Sequence, residues 1–230
     1  MLKLPYDVNT IMFNNPYYPV FLKPILKNIK GSKEIYDIIT ATSWEKPKYE
    51  TKWENELNLD VDRFWWKLHN RAIFKISTDV QIQWFQYRIV HRILTTNVFL
   101  KRIGIVQSDL CSFCDLYPEN LSHIFWECTY VEELWNSFFE WINDQTNTMI
   151  DANIVDILFG KLSKHKNIIN LLIILVKRHI YKKRNNKMLP SFEGLKREML
   201  YYRNLEHYMY KKNNNEDNFY KRWDIFSSLQ

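Results

Sequence analysis

The sequence predicts a mostly α-helical protein, and three observations support this. From about residue 60 onward, apolar residues recur at three- and four-residue steps, as amphipathic helices require. The four glycines among 230 residues are too few for an all-β fold with many tight turns. A hydrophobic content of 46% predicts a packed core, which a chain of this length can bury as one large domain or two small ones.

Residues 1–59 are predicted to form an irregular N-terminal segment, because five of the seven prolines lie in the first 47 residues. One short helix is expected from Pro24 to Lys30, since proline suits the first turn of a helix and Gly31 suits its end.

Residues 60–145 are predicted to form a helical domain. Its first helix has the apolar stripe Val61, Phe64, Trp65, Leu68, Ala72 and Ile76. A capping box of Thr78 and Gln81 opens a second helix, whose apolar face is Ile82, Phe85, Ile89 and Ile93. A short third helix runs from Asn97 to Ile103 before Gly104. A capping box of Thr129 and Glu132 opens a further helix.

Residues 146–230 are predicted to form a basic helical region. It contains a short helix ending near Gly160, a long helix from about Ser163 to Asn186, and a last helix from Ser191 to about Lys212, with Asn213–Asn215 as a solvated turn. The stripe of the last helix is Phe192, Leu195, Met199, Tyr202, Leu205 and Met209. The most apolar run, Ile168–Val176, is far shorter than the about 20 residues that a bilayer requires.

The net charge of +6 is unevenly distributed. Residues 161–230 carry 16 Lys/Arg against 6 Asp/Glu, whereas residues 1–160 carry 16 against 20. This pattern is typical of a polyanion-binding arm, although a helical tail also carries such charge for solubility alone.

All three cysteines lie within 18 residues, in the spacing Cys111-x2-Cys114-x8-His123-x4-Cys128. An odd number of cysteines without a secretory signal argues against a disulfide framework. Three thiolates and one imidazole form a closed tetrahedral set, which selects one structural zinc ion. The alternative is three buried cysteines beside an ordinary histidine. A structural zinc site supplies on the order of 10 kcal/mol, comparable to the whole stability of a domain.

Several segments together resemble a known family. They are FQYRIVHRILTTN at residues 85–97, DLCSFC at 109–114, HIFWEC at 123–128, KWENEL at 52–57, KRHIYK at 177–182 and PSF at 190–192. They resemble the zinc-binding domain and helical tail that follow the reverse transcriptase of LINE-type non-LTR retrotransposons. The resemblance implies binding of RNA or DNA during target-primed reverse transcription.

The sequence departs from that family in having no aromatic-x-Asp-Asp polymerase motif, no endonuclease carboxylate and histidine set, and no P-loop. We therefore expect a non-catalytic fragment of a truncated or domesticated element. The expected partners are RNA or DNA, and a reverse transcriptase domain in trans, with no membrane and no small-molecule substrate. The expected location is intracellular, in the nucleus, the cytoplasm or both.

Two basic clusters are candidate nucleic-acid contacts, because phosphates require exposed Lys or Arg. The first is Arg88, Arg92, Lys101 and Arg102, with Trp84 as a stacking surface or, more in keeping with its size, a core residue. The second is Lys177, Arg178, Lys182, Lys183 and Arg184, which the dipole of a helix C-terminus would equally favour. The knuckle itself is acidic, so we expect the helices beside it to make the contacts.

Two other functions stay open. An aromatic content of 16% suits a zinc-stapled module that packs against another protein. A truncated element copy can also have no present function.

Overall fold

The computed structural model describes residues 45–147, 149–150, 152–161 and 167–226. Of these residues 70% are helical and none forms a strand, which confirms the mostly α fold class. The α-helices of the described part are α1 (Lys48–Leu57), α2 (Arg63–Ile76), α3 (Val80–Val90), α4 (Asn97–Arg102), α5 (Thr129–Thr146), α6 (Ile154–Phe159), α7 (Asn167–Asn185), α8 (Phe192–Lys212) and α9 (Glu216–Trp223). A π-helical turn, His123–Glu127, precedes α5, and a 3-10 turn, Asp224–Phe226, follows α9.

The core is built around α7. Its apolar run, Ile168–Val176, is buried throughout, as the sequence predicts. α7 packs against α2, α3, α8 and the π-helical turn, and α5 packs against α8. The described residues from Tyr49 onward belong to one compact unit. Helices from the regions predicted as 60–145 and 146–230 therefore contribute to the same core.

Aromatic side chains fill the other side of the core. The ring of Phe159 on α6 lies edge-on to Trp53 on α1 and to Trp65 and Trp66 on α2, with ring centroids 5.3 to 5.6 Å apart. Edge-to-face packing is the arrangement that ring quadrupoles favour. The short helix α6, which ends at Gly160 as predicted, is therefore fixed by the aromatic cluster it enters.

The buried face of α2 differs from the predicted one. Phe64 and Leu68 are exposed, whereas Trp66, His69 and Ile73 face the core. Both stripes have helical spacing, so periodicity does not distinguish them. The contacts of Trp66 determine which stripe is buried, because its ring packs against Phe159 and its Nε1 donates to Glu54 Oε1 over 2.9 Å.

Two predicted capping boxes are wrong. Asp79 and not Thr78 caps α3, because Asp79 Oδ1 accepts from the Gln81 backbone N–H over 2.7 Å. Cys128 and not Thr129 precedes α5, and its carbonyl accepts from Val131 and Glu132.

Other predicted helix ends are confirmed. Ser191 caps α8, and α4 ends before Gly104, whose φ of +75° suits glycine. α3 buries Ile82, Phe85 and Ile89, but Ile93 lies beyond the helix and is exposed.

Some expectations concern residues outside the described ranges. These are the helix Pro24–Lys30 and the first turn of the long helix after Ser163. At the other end, the turn at Asn213–Asn215 leads into α9, which periodicity did not reveal. Within α8, Leu205 and Met209 of the predicted stripe are exposed. No helix in the described part of the chain combines the length and apolar character needed to cross a bilayer.

Lys177 is a buried cation in the middle of α7, with only 1% of its surface exposed. Its Nζ donates to Gln86 Oε1 on α3 over 2.6 Å and to the Leu158 carbonyl on α6 over 3.2 Å. The Gln86 side chain donates to the same carbonyl over 2.7 Å. Desolvation lowers the pKa of Lys177 to about 7. This polar clamp joins three helices at the cost of burying an amine.

Lys177→Met should remove a pH dependence of stability. The unfolded chain keeps this amine protonated to about pH 10, whereas the folded chain releases the proton near pH 7. The penalty is therefore present in full below pH 7 and is relieved as the pH rises. Between about pH 7 and pH 9.5, the free energy of unfolding of the wild type, measured in urea, should rise by about 3 kcal/mol relative to that of the variant. Lys211→Met, at an exposed position, is the control; parallel profiles for wild type and Lys177→Met would contradict the assignment.

Candidate metal centre

A short knuckle at residues 109–119 holds the first two cysteines. An isolated antiparallel bridge joins Leu110 to Pro118, and the Cys111 backbone N–H donates to the Tyr117 carbonyl over 2.8 Å. The chain reverses at Asp115, whose φ is +54° and whose N–H donates to the Cys111 carbonyl. The turn directs the side chains of Cys111 and Cys114 to one side.

The other two ligands lie at the ends of the π-helical turn. The Cys128 backbone N–H donates to the His123 carbonyl over 3.0 Å, which is the i to i+5 bond that defines this helix type. In an α-helix, residues five apart point about 140° away from each other. The wider π turn brings His123 and Cys128 onto the same side, where both can contact one ion.

The four side chains converge as a zinc site requires. Their ligand atoms all lie within 4.8 Å of one another. The sulfurs of Cys111 and Cys128 are 3.9 Å apart, and Cys114 Sγ is 3.3 Å from His123 Nε2. Tetrahedral zinc with bonds of about 2.0 to 2.3 Å separates its ligands by roughly 3.3 to 3.8 Å. The cluster fits one structural zinc ion, which confirms the predicted cofactor.

The protonation chemistry suits metal binding. Burial lowers the pKa of His123, so its ring is neutral and Nε2 offers a lone pair. On the other side of the ring, Nδ1 lies 3.9 Å from the Glu127 carboxylate, which is too far for a hydrogen bond. The contact between Cys111 and Cys128 raises the pKa of the first thiol and lowers that of the second. Zinc would replace the proton that these two sulfurs share.

Glu119 anchors the knuckle to the helices and is fully buried. Its Oε2 accepts from the backbone N–H and the hydroxyl of Ser112, which lies between the two knuckle cysteines. Its Oε1 accepts from the Asn97 backbone N–H over 2.8 Å at the start of α4, and from Arg184 over 2.6 Å at the end of α7. One carboxylate thus ties the metal-binding turn to two helices. In the sequence Glu119 is one of several acidic residues around the knuckle, and no local signal marks it as buried.

Three of the residues predicted to contact nucleic acid have partners inside the protein. Arg184 pairs with Glu119 and also donates to Asn97 Oδ1 over 2.6 Å. Arg92 pairs with Glu56, and its guanidinium lies 4.1 Å from the centre of the Trp53 ring. Lys177 is inside the core. In each case the partners are distant in sequence.

Three other candidates meet at one groove. Arg88 on α3 and Arg178 and Lys182 on α7 line it together with Trp84, Tyr181 and uncharged side chains. The two clusters that the sequence presents separately therefore share one surface. Trp84 is 55% exposed, which corrects the expectation that it belongs to the core.

The remaining candidates lie elsewhere. Lys101 pairs with Asp109 over 2.8 Å, and Arg102 is exposed with its guanidinium 5.1 Å from the ring of Phe99. Lys183 is half-buried on α7. In the described part of the chain, the side chains of these three residues form no hydrogen bond or ion pair with the groove residues.

The geometry defines a helical domain stapled by a Cys-Cys-His-Cys zinc site. A family model described as zinc-binding in reverse transcriptase matches residues 31–135, a segment that contains all four ligands. The segment is similar to that domain, which in reverse transcriptases is an accessory domain and not the catalytic one. A search of curated proteins finds no match to the chain.

Loss of a zinc ligand should unfold the knuckle. His123→Ala should reduce bound zinc from one equivalent to none and lower the melting temperature, because a structural zinc site contributes on the order of 10 kcal/mol. The measurements are elemental analysis of purified protein and thermal unfolding with and without a chelator. His207→Ala, at a partly exposed histidine on α8, should keep one equivalent of zinc. A zinc-free wild type with an unchanged melting temperature would refute the site.

Glu119→Gln should destabilise the protein by about 3 to 5 kcal/mol, because it leaves the Arg184 guanidinium buried beside a neutral amide. Urea unfolding of the zinc-loaded protein measures this. Asp109→Asn removes a carboxylate at a solvent-exposed pair of the same knuckle and should change the unfolding free energy little. Equal effects of the two variants would show that Glu119 is not an anchor.

Proposed function

We propose that this chain is a non-catalytic, zinc-stapled module that binds RNA or DNA. We further propose that it derives from the C-terminal part of a LINE-type retrotransposon protein, whose reverse transcriptase can act as a partner in trans. The match to a zinc-binding domain of reverse transcriptases supports this origin. The groove between α3 and α7, which combines cations with an exposed aromatic ring, carries the binding proposal.

The charges of the groove are available to a ligand to different degrees. Arg88 makes no ion pair with any residue in the described ranges, and Arg178 has one long contact, 3.4 Å, to Gln81. Lys182 is paired over 3.0 Å with Glu198, a carboxylate whose pKa is lowered to about 2 by its contacts with His179 and Lys182. Phosphates would therefore meet mainly Arg88 and Arg178, both of them guanidinium groups that bind phosphate bidentately.

The exposed indole of Trp84 favours single strands as the ligand. Its ring is stacked on Tyr87, with planes 10° apart and centroids separated by 5.3 Å, and Tyr87 in turn stacks on His91. This stack holds the indole in place while more than half of Trp84 stays exposed. An unpaired base can stack on such a surface, whereas a base inside a duplex cannot.

The zinc site contributes indirectly. Glu119 and Arg184 connect the knuckle to the last turn of α7. Arg184 follows the groove residues Arg178 and Lys182 by six and two positions. The ion thereby supports the helix that presents the cations. In this proposal the knuckle is scaffold and the helices beside it bind.

A second function, protein binding, has its own supporting observation. The segment after α4 and the knuckle expose large apolar side chains, namely Ile103, Ile105, Leu116 and Tyr117. Apolar exposure of this kind is typical of surfaces that dock another protein. A reverse transcriptase domain would be such a partner.

Arg88→Glu with Arg178→Glu should weaken binding of single-stranded RNA or DNA and lower the slope of log affinity against log salt. The expected change in slope is about 1.4, since each phosphate contact on a single strand contributes about 0.7. Fluorescence anisotropy between about 50 and 200 mM salt measures both quantities.

The control has the same change of charge at Lys211 and Lys212, two exposed lysines at the end of α8. Trp84→Ala separates stacking from charge, because it should cost about 1 to 3 kcal/mol on single strands and leave the slope unchanged. If the double arginine variant binds with wild-type affinity, the groove does not bind the nucleic acid. Oligomers without nucleic-acid binding would favour the protein-binding function.

A further inference from the structure

We propose that the outer face of α2 is a second phosphate-binding surface, which contacts the sugar–phosphate backbone of a nucleic acid. The inference rests on the proposed nucleic-acid binding but concerns residues outside the groove. The surface, here called the α2 stripe, consists of Arg63, Lys67, Arg71 and Lys75.

The stripe follows from the sequence of α2. Its four cations recur every fourth residue, and the 14 residues of the helix include no Asp or Glu. Residues four apart lie on the same side of a helix and are separated by about 6 Å along its axis. All four side chains are exposed. The stripe is therefore about 18 Å long, which spans about five phosphates of one strand.

Three of the four charges of the stripe are not neutralised by neighbours. Within the described ranges, Lys67, Arg71 and Lys75 form no ion pair and no side-chain hydrogen bond. Arg92 and Arg184, by contrast, are each held by a carboxylate. Three unpaired cations in a row create a positive potential that attracts a polyanion.

The fold does not benefit from this arrangement. Like charges at i and i+4 repel each other and destabilise a helix. Arg63 also lies at the N-terminus of α2, where the helix dipole disfavours a cation. The buried face of α2 is made by other residues, among them Trp66 and Ile73. A structural role is therefore unsupported for Lys67, Arg71 and Lys75, and a ligand accounts for their placement.

Two exposed aromatic rings lie beside the cations. Phe64 and Phe74 are 63% and 61% exposed, although both are large apolar side chains. Rings placed among cations can contact sugars and unpaired bases of a bound strand. The high positive charge selects a polyanion over an apolar partner helix as the occupant, and we assign a nucleic acid.

The test is a triple variant, Lys67→Ala with Arg71→Ala and Lys75→Ala. Its matched control is Lys211→Ala with Lys212→Ala and Lys221→Ala, which removes the same charge from three exposed lysines of α8 and α9. Each full-length, zinc-loaded protein is titrated into labelled single-stranded RNA and duplex DNA over about 50 to 200 mM salt. Thermal unfolding monitors folding.

The α2 variant should bind about a hundredfold more weakly at about 0.1 M salt and lower the salt slope by about two to three. Its melting temperature should stay equal to that of wild type or rise, because like-charge repulsion is removed. The control should keep the wild-type slope.

Three outcomes would overturn the inference. Wild-type affinity and slope in the α2 variant refute the stripe while leaving the groove intact, since the groove variants test it separately. An equal loss in the control variant would mean that net charge alone matters. A wild type that binds no nucleic acid refutes both proposals. If that wild type instead binds vesicles containing phosphatidylserine, and the α2 variant does not, the ligand of the stripe is an anionic membrane.

Discussion

The buried carboxylate of Glu119 is the interaction on which the rest of the structure depends. A carboxylate removed from water must be surrounded by donors, and here the donors come from Ser112, Asn97 and Arg184. Those residues belong to the zinc knuckle, to α4 and to α7. Burying the ion pair of Glu119 and Arg184 costs free energy, so the pair contributes mainly to geometry. Every donor reaches the carboxylate only when the three elements are correctly placed. The metal fixes the knuckle internally, and Glu119 fixes the knuckle to the helices.

Several cations are also held by internal partners. Part of the excess of Lys and Arg lies within the fold: Arg184 at the Glu119 carboxylate, Arg92 against Glu56 and Trp53, and Lys177 within the core. Other cations stay at the surface, among them those of the groove between α3 and α7 and those of α2. A net charge is therefore a poor guide to a binding surface until the internal pairs have been subtracted.

Local chemistry made much of the fold readable from the sequence. The four zinc ligands could be named because thiolates and an imidazole at that spacing have few other uses. The ends of α4, α6 and α8 followed from Gly104, Gly160 and Ser191, whose effects depend on their immediate neighbours. The run of four cations on α2 was also present in the sequence, and its four-residue period is the signal that identifies it.

By itself, then, the sequence determined the helical class, the metal ligands and the ends of α4, α6 and α8, because each depends on residues near it in the chain. Only the tertiary structure decided the rest. It chose between the two apolar stripes of α2 through the contact of Trp66 with Phe159, and it exposed Trp84. It also sorted the basic residues into internal partners and surface charges. Those outcomes depend on residues far apart in the sequence, such as Arg178 and Gln81, which are 97 positions apart, and periodicity carries no information over such distances.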